Sequence, residues 1–189
     1  RMISRANGPS PSALGGAGLG SVAASWATAS DSSAPAATPT PVTDGQRVYA
    51  FFGSGGAAAV DFAGNVVWTN QDYPFYSQHG LGASPILVDG LLIQPRDGSS
   101  DGEDKALGWQ KPWDRSHLLA LDARTGRTAY RAKRGLSRIA HVTPTVVTVG
   151  GRKQVVSPAG DVVQGFDLAT GRLVWTARSQ GEGVVPSVV

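Results

Sequence analysis

The run Phe166-Asp167-Leu168-Ala169-Thr170-Gly171-Arg172-Leu173-Val174-Trp175 decides the fold class. It reads as the end of one strand, a tight turn, and a second strand closing on tryptophan. Its apolar residues come in runs. Asp167, Thr170 and Gly171 stand where a reversal needs side chains that bond their own backbone or a residue that tolerates positive φ. The phrase occurs earlier as Ala120-Leu121-Asp122-Ala123-Arg124-Thr125-Gly126-Arg127-Thr128-Ala129-Tyr130, and more weakly as Val60-Asp61-Phe62-Ala63-Gly64-Asn65-Val66-Val67-Trp68, one turn residue shorter. Three copies of one supersecondary phrase predict a repeat architecture.

Each copy sits in a longer, similar grammar. After Thr38-Pro39 and Thr40-Pro41 come Val42, an Asp44-Gly45 turn, the strand Arg47–Phe52, a Gly53–Gly56 turn, and the two strands around Gly64. That is a four-stranded antiparallel meander. The second copy begins at Ser84-Pro85, turns at Asp89-Gly90, and is interrupted by roughly fifteen extra polar residues before Leu118 resumes the pattern. The third begins at Thr143-Pro144 and turns at Gly150-Gly151, and Val185–Val189 matches an opening strand again. The anchors Pro39, Pro85, Pro144 and Pro186 are spaced by 46, 59 and 42 residues, the long interval carrying the insertion. Four strands per repeat of this length is propeller spacing. The expected architecture is all-β: a partial β-propeller with blades at about 38–70, 83–132 and 142–177 and the start of a fourth at 183–189.

Composition agrees with this class. The 25 Gly and 12 Pro suit short strands joined by turns. There is no cysteine, which excludes disulfides and thiolate metal sites. No basic run with interleaved aromatics exists, which argues against nucleic-acid binding, and no apolar run is long enough to span a membrane. Residues 1–32 are a Gly/Ala/Ser/Pro-rich segment without period. Arg1 and Arg5 ahead of Ala13–Ala24 suggest a degraded export signal, but Leu14–Gly20 is too glycine-rich for its helix, so a flexible lead-in is expected. The start at Arg1 and the stop within an apolar run suggest part of a longer product.

The phrase Ala-Leu-Asp-Ala-x-Thr-Gly-x closing on an aromatic resembles the repeat of the PQQ-like (quinoprotein-like, BamB-like) β-propellers, over about residues 38–189. The resemblance implies blades packed around a channel, a location outside the cytoplasm, and either of two roles. One is a non-catalytic binding scaffold with a protein partner or remaining blades completing the ring. The other is a fragment of a dehydrogenase using pyrroloquinoline quinone (PQQ) and calcium. The alcohol dehydrogenases of this group commonly carry adjacent cysteines beside the quinone, which are missing here, and no catalytic carboxylate stands outside the turns. The scaffold role is therefore preferred. Trp68, Tyr130 and Trp175 are expected to fill the gaps between neighbouring blades.

Candidate functional residues lie before the opening strands and in the insertion. His79 and His141 occupy corresponding places ahead of two successive blades. Two imidazoles there could hold a metal or an anionic ligand near the channel mouth, or each could bond a loop carbonyl. Asp97, Asp101, Glu103 and Asp104 could supply oxygens to Ca²⁺, although the EF-hand spacing is absent and such loops are commonly just solvated. Trp109 and Trp113, two tryptophans in a polar loop, suggest a contact surface for a partner, a sugar or a neighbouring blade.

Overall fold

The computed structural model describes residues 39–53, 55–73 and 75–180. The lead-in read at residues 1–32 and the fourth opening strand at 183–189 lie outside them. Twelve strands form three four-stranded antiparallel sheets, each a meander in chain order, with no helix among the described residues. The first blade holds β1 (Val42–Thr43), β2 (Arg47–Phe51), β3 (Ala57–Asp61) and β4 (Val66–Asn70). The second holds β5 (Ile86–Val88), β6 (Leu91–Arg96), β7 (His117–Asp122) and β8 (Thr128–Lys133). The third holds β9 (Thr145–Val149), β10 (Arg152–Pro158), β11 (Val162–Asp167) and β12 (Leu173–Arg178).

The continuous apolar run Leu118-Leu119-Ala120-Leu121 follows from burial on both faces of the second blade. Successive side chains of a strand point to opposite faces. Leu92, Leu119 and Leu121 accordingly join Tyr49, Phe51 and Trp68 in a core shared with the first blade. Ile93, Leu118 and Ala120 join Val155 and Phe166 in a core shared with the third. The blades are further stitched at the starts of their first strands. Thr40 N donates to Ser84 Oγ at 3.0 Å, and Ser84 N donates to Thr143 Oγ1 at 3.1 Å. These three residues precede Pro41, Pro85 and Pro144, so the anchor of the first blade is Pro41 rather than Pro39.

The repeated phrase has a physical explanation in two parts. The turn is closed by its own side chains: Asp122 Oδ1 accepts from Thr125 N and Thr125 Oγ1, both at 2.7 Å, and Asp167 Oδ1 accepts from Thr170 N at 3.0 Å and Thr170 Oγ1 at 2.7 Å. These bonds, the Thr hydroxyl first, hold both carboxyls below the usual range. The second part joins one blade to the next. The indole of Trp68 lies against Gly126 and donates from Nε1 to Ala123 O at 2.9 Å. Tyr130 repeats this one blade on, its ring against Gly171 and its hydroxyl donating to Leu168 O at 2.9 Å. Gly126 and Gly171 have φ of 71° and 70°, and a Cβ at either would run into the neighbour's ring. Each such glycine therefore serves both its own turn and the aromatic of the preceding blade.

A β-bulge aims that aromatic. In all three blades the register shifts once between the third and fourth strands, leaving Val67, Ala129 and Val174 as the extra residue directly before Trp68, Tyr130 and Trp175. The residue facing each ring across the strand pair is small: Ala59, Ala120 and Gly165. Trp175 has no such seat among the described residues: it lies on Gly165 of its own sheet, donates to Gln154 Oε1 at 2.8 Å and is 38% exposed.

Candidate functional site

The topology sorts the connections by length. At one end of the sheets lie the Asp-Gly, Gly-Gly and Thr-Gly turns. At the other lie the connections 71–85 and 134–144, the 97–116 insertion and two hairpin turns. Every candidate site residue falls at this second, connecting end.

The insertion is built into a platform. Ser99 N donates to Tyr76 O at 3.2 Å, and Gln78 N donates to Ser99 Oγ at 2.9 Å, which ties it to the first connection. Trp113 and Ser137 exchange two backbone bonds, and Ile139 N donates to Gly108 O at 2.6 Å, which ties it to the second. Trp109 and Trp113 are half-buried on this platform, with the Arg115 guanidinium 5.4 Å over the Trp113 ring.

Beneath it lies a layer of buried charge, of which only Asp97 stands among the candidates of the sequence. Arg134 is 3% exposed, donates to Asp97 Oδ1 from Nε at 2.5 Å and to Oδ2 from Nη2 at 3.2 Å, and reaches the third blade at Ser157 Oγ, Ser157 O and Gln164 Oε1. Arg96 is 1% exposed and reaches the first blade, donating from Nη1 to Gly55 O at 2.8 Å and from Nη2 to Tyr73 O. Burial, with a contribution from Arg131, lowers its guanidinium to about 10. Burial pushes the Asp97 carboxyl up to about 6 against the pull of Arg134. His117 stands across from Arg96 in the β6–β7 register. Its Nδ1 faces Arg115 O at 3.1 Å, and burial pushes it down to about 4. A single arginine after an apolar strand, as in Leu91–Arg96, was the only sequence signal for this layer.

The insertion's carboxylates do not converge. Asp97 faces inward to Arg134. Asp104 accepts from Lys111 Nζ at 2.9 Å on the surface, and Asp101 and Glu103 are exposed. Among the described residues no three His, Asp or Glu side chains are grouped to hold a metal. The two imidazoles and Trp109, by contrast, are brought together. The His79 and His141 rings lie 6.3 Å apart between centroids, nearly perpendicular, and His79 meets Trp109 at 5.5 Å. Burial, then His79, lowers the pKa of His141. Neither ring bonds a loop carbonyl among the described residues.

No protein-family model and no curated protein matches the chain. Among solved structures, a quinohemoprotein alcohol dehydrogenase from Pseudomonas putida HK5 superposes with a TM-score of 0.50 at 13% identity, over 76% of this chain and 26% of that one. The fold is that of a partial β-propeller. BamB from Moraxella catarrhalis is similar at TM-score 0.49 and 20% identity, over 72% of this chain and 35% of its own. A europium-containing methanol dehydrogenase matches at 0.48 and 16%, over 77% and 26%. The chain thus spans between 26% and 35% of the length of these propellers. No helix among the described residues of this propeller segment is long and apolar enough to cross a membrane.

Proposed function

We propose that this propeller segment is a non-catalytic binding scaffold that acts outside the cytoplasm, with the connecting end as its contact face. The observation carrying the reading is how the charge at that end is used. Asp97, Arg134 and Arg96, the most deeply buried ionisable groups there, hold loops and neighbouring blades, while the half-buried rings of Trp109 and Trp113 are held up on a braced platform. Rigid, partly exposed aromatics on a braced loop suit recognition, because little side-chain entropy is lost when a partner covers them. The location rests on the fold resemblance.

The test is the absorbance spectrum of the protein purified from its native source, before and after addition of PQQ and Ca²⁺. A spectrum without a quinone band and without saturable uptake is expected. A quinone band retained through gel filtration overturns the scaffold reading in favour of a quinoprotein dehydrogenase.

A further inference from the structure

We propose that His79 and His141 form a two-imidazole site for a divalent transition-metal ion of the zinc, copper(II) or nickel class. The residues come from the two long connections flanking the second blade, and the fold brings their rings to 6.3 Å between centroids. Neither ring spends a nitrogen on a hydrogen bond to a described residue. In this they differ from His117, whose Nδ1 is taken up by Arg115 O. His141 is fixed in place: its ring lies against Gly82, where a Cβ would collide with it. His79 is exposed, its ring edge-on to Trp109. Imidazole nitrogen is the donor that suits zinc, copper and nickel, whereas oxygen donors suit calcium and magnesium. A tetrahedral ion held at ~2.1 Å from two imidazole nitrogens places the ring centroids about 5 Å apart, which a rotation of exposed His79 supplies. Water completes the coordination shell. The bound ion clasps the 71–85 connection to the 134–144 connection beside Trp109, whose ring already meets His79. This site is independent of the scaffold reading.

The test uses the untagged chain, which has three histidines in all. Zn²⁺ titrated by calorimetry is expected to bind saturably at one ion per chain. Cu²⁺ at the same stoichiometry is expected to show nitrogen hyperfine structure from two imidazoles in its electron paramagnetic resonance spectrum. His79→Gln, a change at an exposed side chain that leaves the fold intact, weakens Zn²⁺ binding at least tenfold and leaves one nitrogen on copper. His141→Gln does the same, and His117→Gln leaves both readings unchanged. Absence of saturable Zn²⁺ binding, or His79→Gln binding as tightly as the parent, overturns the site. So does loss of binding in His117→Gln.

Discussion

At the scale of single residues, the ring-on-glycine contact separates positions that look alike in the sequence. Trp68 is buried between Ala59 and Gly126, whereas Trp175 rests on its own sheet half in solvent. Trp68→Ala should cost about 3–5 kcal/mol, as large core truncations do, and Trp175→Ala only about 1 kcal/mol, the worth of one hydrogen bond. Urea melts of the two variants check this; equal losses would contradict the inter-blade role of Trp68. Gly126→Ala and Gly90→Ala form a second pair. Both glycines have positive φ, but the space at Gly90 is open while that at Gly126 holds the Trp68 ring. Gly90→Ala should cost ~1–2 kcal/mol from backbone strain alone, and Gly126→Ala clearly more, because the ring must also move. Two buried groups set opposing pH slopes. His117, at about 4 in the fold and 6.5 ordinarily, binds fewer protons folded than unfolded between those values, so its contribution is lost as pH falls through that window. Asp97, at about 6 against 3.8, binds more protons folded, so its contribution falls as pH rises from about 4 to 6. His117→Gln should tilt the stability profile toward acid, and Asp97→Asn should tilt it toward base, where His141 adds slope of the same sign as His117. Melting temperatures between pH 4 and 7 read both; parallel profiles would mean that neither group is buried as described.

At the scale of elements, what was legible was local. Period-two runs, Asp-Gly and Thr-Gly turns and the repeat interval are properties of adjacent residues, and they led to three four-stranded meanders. Which neighbour a side chain serves is decided by packing, and here the reading stopped short. Gly126 is legible as a turn residue but not as the seat of Trp68. Arg134 lies in an ordinary-looking run, Lys133-Arg134-Gly135, and its partners are far away in the chain. His79, His141 and Trp109 could be placed at one end by topology, but that they touch depends on how the insertion folds back over both connections. The insertion's two ion pairs show why charge in a loop is not one quantity. Arg134–Asp97 is enclosed, and Arg134→Met, which leaves a buried carboxylate without its partner, should cost about 3–5 kcal/mol. Lys111–Asp104 is open to water, and Lys111→Met should leave the melting temperature unchanged. The two variants melted side by side decide it: a similar loss in both would mean that the platform is held by its surface charges.

At the scale of the whole molecule, the second blade is fastened to each neighbour at both ends of its sheet. Towards the first blade it has Trp68 seated on Gly126 at the turn end and Arg96 holding Gly55 O and Tyr73 O at the connecting end. Towards the third it has Tyr130 seated on Gly171 and Arg134 gripping Ser157 and Gln164. Contacts in such a stack run only between neighbours, so stability divides into blade terms and interface terms. Weakening one interface should then release one terminal blade and leave the far one as it was. Arg96→Met should speed amide exchange in β2 and β3 while β10 and β11 keep the parent rate. Arg134→Met should do the reverse. In the parent, β6 and β7, covered on both faces, should exchange slowest, and β12, exposed along its length, should exchange fastest. Hydrogen exchange resolved by peptide distinguishes the cases. If either arginine variant speeds exchange equally in all three sheets, the blades unfold as one unit and the interfaces are not separable. If only the adjoining sheet responds, the buried arginines are the fasteners through which one blade's order reaches the next.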